Sequence, residues 1–197
     1  MRKSIEKHES MTIDVAGAAL AASTASVAKA RSAVRPVPAR DLVIRPMTLE
    51  DVPEVAELEA DIFADAWSAD SFLSEVDRRR DVGIPLVVRG QAGLLVAYAV
   101  VWFIVDETHI ANIAVRPDYQ GQGVGSLLLR HLLDEGRRRG FPFATLEVRP
   151  SNAPALRLYE RFGFHRVAVR PNYYLNNGED AYVLAAPIDP APERLRG

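Results

Sequence analysis

Glycines 121, 123 and 125 constrain this chain more than any other feature. They close the stretch Asn112-Ile113-Ala114-Val115-Arg116-Pro117-Asp118-Tyr119-Gln120-Gly121-Gln122-Gly123-Val124-Gly125. Ile110, Ile113 and Val115 are β-branched and favour a strand. Pro117-Asp118 signals a turn. After Gly125, Ser126 to Glu135 carries strong helix formers with leucines recurring at three and four. The pattern is strand, turn, glycine loop, helix. Glycines there allow a tight turn and leave no side chain over the helix entrance. Free N–H groups and the positive end of the helix dipole make an anion site, and phosphate is the natural guest.

Two familiar phosphate loops do not fit. No Gly-Lys-Ser/Thr follows the glycines, so this is not a Walker loop. The third glycine falls one place early for a dinucleotide fingerprint. The pattern Gln120-x-x-Gly123-x-Gly125 instead resembles the acetyl-CoA pyrophosphate loop of the GNAT N-acetyltransferases. On the loop alone, a plain glycine-rich turn and another nucleotide loop stay open.

The 197 residues are 48% hydrophobic, enough for one core. A net charge of −2 gives no broad basic field, so no nucleic-acid partner is expected. The chain has no cysteine, which excludes disulfides, thiolate zinc sites and cysteine nucleophiles. That absence agrees with a cytoplasmic protein. The longest apolar run, Leu94 to Val105, is too short to span a bilayer and suits a buried strand. No membrane partner is expected. Nothing in the sequence sets the oligomeric state.

The chain divides into an extension over residues 1–40, one domain over 41–190 and a tail over 191–197. Residues 15 to 34 are mostly Ala, Ser, Val and Thr, too small to offset the entropy of ordering. This segment is expected to be a flexible extension. A signal peptide is the rival, but the stretch is weakly hydrophobic and Glu6, Glu9 and Asp14 sit where a basic region belongs.

From residue 42 the pattern is regular. Leu42 to Arg45 reads as a strand, then Thr48 caps a helix over Leu49–Ala64. Ser68 caps a second helix through Val76. Arg78-Arg79-Arg80 reads as a solvated helix end. Ile84–Arg89, Leu94–Val105 and Thr108–Val115 form an antiparallel meander. The glycine-loop helix stops at Gly140. Phe143–Val148 follows a strand-helix unit and is expected to lie parallel to the Thr108 strand. Asn152 opens a helix over Ala153–Phe162, and Phe164–Val169 and Ala181–Leu184 close the sheet.

Taken singly, the residues after 145 are unremarkable in role. Glu147 reads as a solvated carboxylate pairing Arg149, Tyr159 as a core aromatic, and Asn152 as a helix cap. Together they form a pattern: Leu146-Glu147-Val148-Arg149-x-Ser151-Asn152, Leu158-Tyr159-Glu160, Phe162-Gly163-Phe164, Arg170-x-Asn172-Tyr173-Tyr174 and Gly178-Glu179-Asp180-Ala181. With Asn112–Val115 and Trp67-Ser68, this resembles the RimI branch of the GNAT family, over about residues 42 to 188.

The resemblance implies an α/β (α+β) fold with a mixed twisted sheet of about seven strands flanked by about four helices, the central strands splayed to admit acetyl-CoA. It implies N-terminal protein acetylation, with the alanine terminus of a small-subunit ribosomal protein as acceptor. By resemblance Glu147 is the general base and Tyr159 the general acid. Ile113, Ala114 and Val115 would meet the coenzyme along the strand. Gln120, Gly121, Gln122, Gly123, Val124, Gly125 and Ser126 would hold its pyrophosphate, and Asn152 would also contact it. Trp67 and the loop carrying Tyr173 and Tyr174 would flank the acceptor peptide, although these aromatics also suit ordinary packing. His8, His109, His131 and His165 lack metal-ligand spacing, so neither a metal nor a site is assigned to them. The rival functions are an acetyltransferase acting on lysine or a small amine, and a non-catalytic acetyl-CoA sensor.

Overall fold

A computed structural model describes residues 41–78 and 81–188. The expected extension over 1–40 and the tail over 191–197 lie outside the described residues. The strands are β1 (Val43–Pro46), β2 (Gly83–Arg89), β3 (Leu95–Ile104), β4 (Glu107–Val115), β5 (Phe143–Val148), β6 (His165–Tyr174) and β7 (Glu179–Pro187). The helices are α1 (Val52–Ile62), α2 (Ala69–Val76), α3 (Val124–Arg139) and α4 (Ala153–Arg161). All seven strands form one sheet in the order β1-β2-β3-β4-β5-β7-β6. The expected meander is antiparallel, and β4 runs parallel to β5.

Each face of the sheet carries its own core. Ile110, Ile113, Leu146 and Val148 pack with Leu128, Leu132 and Tyr159 of α3 and α4. Tyr98, Val100, Ala111 and Ala114 pack with Val55, Leu58 and Phe72 of α1 and α2. Alternation along β3 and β4 supplies both cores from the same strands.

Several boundaries differ from the sequence reading. Leu49–Asp51 is a tight 3-10 turn, and the α-helix starts only at Val52. Asp51 organises this entrance: its carboxylate accepts from Thr48 N at 2.8 Å and receives both Arg45 and Arg89. Arg78 is no solvated helix end, because it grips the buried Glu75 through two hydrogen bonds of 2.8 Å and lies over Trp102. Arg79 and Arg80 lie outside the described residues. The closing strands are longer than expected, since Pro171 is tolerated on an edge strand. Tyr173 and Tyr174 therefore end β6 instead of occupying a loop.

Candidate active site

The site begins where β4 and β5 part. Their pairing runs from Glu107/Phe143 to Ile110/Leu146 and stops there. At the same level β4 is bulged: Val100 pairs with Asn112 and Val101 with Ile110, leaving Ala111 as the extra residue. A bulge bends its strand and increases its twist. Glu59 of α1 underpins the bend. Its buried carboxylate accepts from Asn112 Nδ2 at 3.1 Å, from Trp67 N at 2.9 Å and from the Tyr98 hydroxyl.

Main-chain alternation then sets what lines the gap. Arg116 N donates to Val96 O at 2.8 Å. Antiparallel pairing alternates, so Val115 and Ile113 turn their main-chain groups away from β3 toward the gap. One of these groups has a partner: the Val115 carbonyl accepts from Gln120 Nε2 at 3.0 Å. Gln120 thus ties the glycine loop to the end of β4.

The loop itself is an open cradle. Gly121 and Gly123 have φ of +73° and +87°, and a Cβ built on either would meet nothing within 4 Å. Gln122 Nε2 donates to Asp118 O at 2.7 Å and braces the turn. Val124 is buried, so it offers the loop only its backbone, while Ser126 is half-buried in the first turn of α3. Gly125 has a different reason to be glycine, because a Cβ there would stand 3.2 Å from Leu158 Cδ2. The N-terminus of a 16-residue helix behind an open glycine turn suits a pyrophosphate in charge and shape.

Glu147 and Tyr159 belong to opposite faces of the sheet. Leu146 and Val148 belong to the α3–α4 core, as does Tyr159, which is fully buried. Glu147 alternates with its neighbours and points to the α1–α2 face. There it is neither solvated nor paired with Arg149, contrary to the simplest reading of the sequence. It is 3% exposed, and Arg170 Nη2 lies 3.0 Å from its Oε1. Burial pushes the Glu147 carboxyl up, and Arg170 resists that rise.

Arg149 is a hub elsewhere. It reaches Asp65, Asn176, Asn177 and Glu179 at 3.1–3.2 Å and covers the Tyr174 ring at 3.6 Å. Tyr174 is fully buried beneath it, and Trp67 is only 3% exposed. Tyr173 is the partly exposed member of the three aromatic candidates, and burial with the nearby Glu147 charge pushes its phenol up to about 12. Asn152 caps α4 by accepting from Ala155 N at 3.2 Å. Among the described residues no His, Cys, Asp or Glu cluster could hold a metal, and no helix is long and apolar enough to cross a membrane.

The sequence reading passed over His109. It sits in β4 on the Glu147 face, with Nε2 3.4 Å from Glu147 Oε2. Only the β4–β5 register places them together, and no local motif encodes it.

The model of the acetyltransferase (GNAT) family matches residues 52–164. The chain belongs to the GNAT acetyltransferase family. Membership makes it an acyltransferase with acetyl-CoA as its acetyl donor. Within the GNAT family its relatives are of the RimI type. It is 41% identical over 140 residues to the [ribosomal protein bS18]-alanine N-acetyltransferase of Escherichia coli K12, covering 70% of this chain and 92% of that one. A putative enzyme of the same name in Bacillus subtilis 168 is 38% identical over 146 residues, covering 74% and 95%. The crystal structure of the E. coli ribosomal-protein-S18-alanine N-acetyltransferase matches with TM-score 0.69 and 37% identity, covering 79% of this chain and 99% of that one.

Proposed function

We propose that this enzyme acetylates a protein α-amine, with the N-terminal alanine of ribosomal protein bS18 as acceptor. The names of its relatives support that acceptor. Such an acceptor would place the enzyme in the cytoplasm, with residues 41–190 as the catalytic unit. The observation that carries the chemistry is a buried carboxylate at a gap between parted strands.

An α-ammonium is inert as a nucleophile until it loses a proton, and its pKa is near ~7.7–8. A modest base suffices. Glu147, raised by burial and held by Arg170, takes that proton directly or through water. Acetyl-CoA supplies the activated acetyl carbonyl. The Val115 N–H at the gap meets the charge that gathers on the carbonyl oxygen. Tyr159, on the far face, gives its proton to the departing sulfur. Ile113 and Val115 bind pantetheine through the main chain in the manner of an added strand. Residues 120–126 bind the pyrophosphate, and Asn152 contacts the coenzyme beside them. Trp67 and Tyr174 shape the acceptor side from beneath, and Tyr173 meets the peptide.

Glu147→Gln tests the assignment. It keeps the shape and one acceptor oxygen but cannot take a proton. The variant should lose roughly 10²–10⁴-fold in kcat on an alanine-terminated peptide. Unchanged acetylation across pH would remove Glu147 from the role of base.

A further inference from the structure

We propose that His109 is a positioning residue for Glu147: its neutral imidazole holds one carboxylate oxygen, leaving the other to exchange Arg170 for the acceptor amine. The inference rests on the reading of Glu147 as the base.

The geometry assigns each imidazole nitrogen a different neighbour. Nδ1 lies 2.9 Å from Thr145 Oγ1, and Nε2 lies 3.4 Å from Glu147 Oε2. A Thr145 hydroxyl donating to Nδ1 leaves the proton on Nε2, facing the carboxylate. The ring is clamped from behind. It stacks on Trp102 at 5.6 Å, and Trp102 stacks on Trp67 at 6.3 Å. Trp102 is fixed in turn, because its Nε1 donates to Glu75 Oε2 at 2.9 Å. Residues from β3, β4, β5 and the α1–α2 loop thus converge on the orientation of one imidazole.

The surrounding charges agree with a neutral ring. Glu107 of β4 lies 3.9 Å from Nδ1, Glu147 faces from β5 and Arg170 from β6, while Glu75 and Arg78 lie beyond Trp102. Burial drives His109 down to about 4, Glu107 resists, and Arg170 adds to the fall. His109 therefore does not compete with Glu147 for the proton near neutrality. It acts through its N–H.

Arg170 and His109 differ in exposure. Arg170 is 51% exposed and reaches Oε1, whereas His109 is 15% exposed and faces Oε2. An ammonium arriving at Oε1 displaces the exposed arginine and leaves the histidine in place.

The test is the Glu147 titration, followed by carboxyl carbon NMR in the full chain labelled at glutamate, with Glu147→Gln to assign the signal. His109→Phe removes the donor and should raise the Glu147 midpoint by about one pH unit, while His109→Gln, which keeps an N–H, should move it less than half as far. kcat/KM on an alanine-terminated peptide should fall in His109→Phe at pH 6, by no more than the roughly tenfold that a one-unit shift allows, and recover in His109→Gln. Thr145→Val, which frees Nδ1, should shift the midpoint in the same direction and serves if His109→Phe does not fold. An unmoved midpoint, or equal shifts in His109→Phe and His109→Gln, would overturn the role. Full activity in Glu147→Gln would instead overturn the base, a separate result.

Discussion

Glu147 and Tyr159 lie on opposite faces of one sheet, in which β4 and β5 part beyond Ile110 and Leu146. In the roles proposed for them, base and acid would act on opposite ends of the reacting group, and their losses should differ in kind. Tyr159→Phe should lower kcat roughly 10²–10⁴-fold. Acetyl-CoA affinity, measured by calorimetry, should be unchanged. The deficit should shrink with an acetyl thioester of a more acidic thiol, because such a sulfur leaves without help.

Gly123 has φ +87° and open space where a side chain would stand. Gly123→Ala places a methyl in the cradle and forces a left-handed alanine, at a cost of roughly 1–2 kcal/mol. Acetyl-CoA should bind about tenfold or more weakly, while kcat at saturating coenzyme changes little. Calorimetry and steady-state kinetics read the two effects separately.

His109 makes stability depend on pH. Its folded value of about 4 lies below the ordinary 6.5, so the unfolded chain binds more protons between those values. Stability from this group is present above pH 6.5 and is lost as pH falls toward 4, by at most about 1.4 kcal/mol per unit. Glu147 is raised and slopes the other way, which masks the total. Urea unfolding should therefore show the wild type losing stability faster than His109→Gln between pH 6.5 and 4.

The parts of this site legible in the sequence are those set by local chemistry. Gly121 and Gly123 announce their turn because few other residues accept positive φ. Strand alternation separates Glu147 from Leu146 and Val148, and Ser68 and Asn152 are recognisable caps. What escaped depends on pairing distant segments. Arg170 reaches Glu147 from β6, and His109 reaches it from β4 through a parallel register that no short motif specifies. Arg149 looked like the partner of Glu147, but it lies just past the end of β5 and turned to Asp65 and Glu179. The strand expected over Phe164–Val169 runs on through Pro171, which an edge strand tolerates.

The most direct measurement is acetylation of a peptide panel with acetyl-CoA, with mass spectrometry locating the acetyl group. The panel holds a peptide with the N-terminal alanine of bS18, peptides with other N-termini, and N-blocked peptides with an internal lysine. Acetyl on the free alanine terminus, well above the other N-termini and absent from blocked lysine peptides, is the predicted result. Acetyl only on lysine of the blocked peptides would contradict the account.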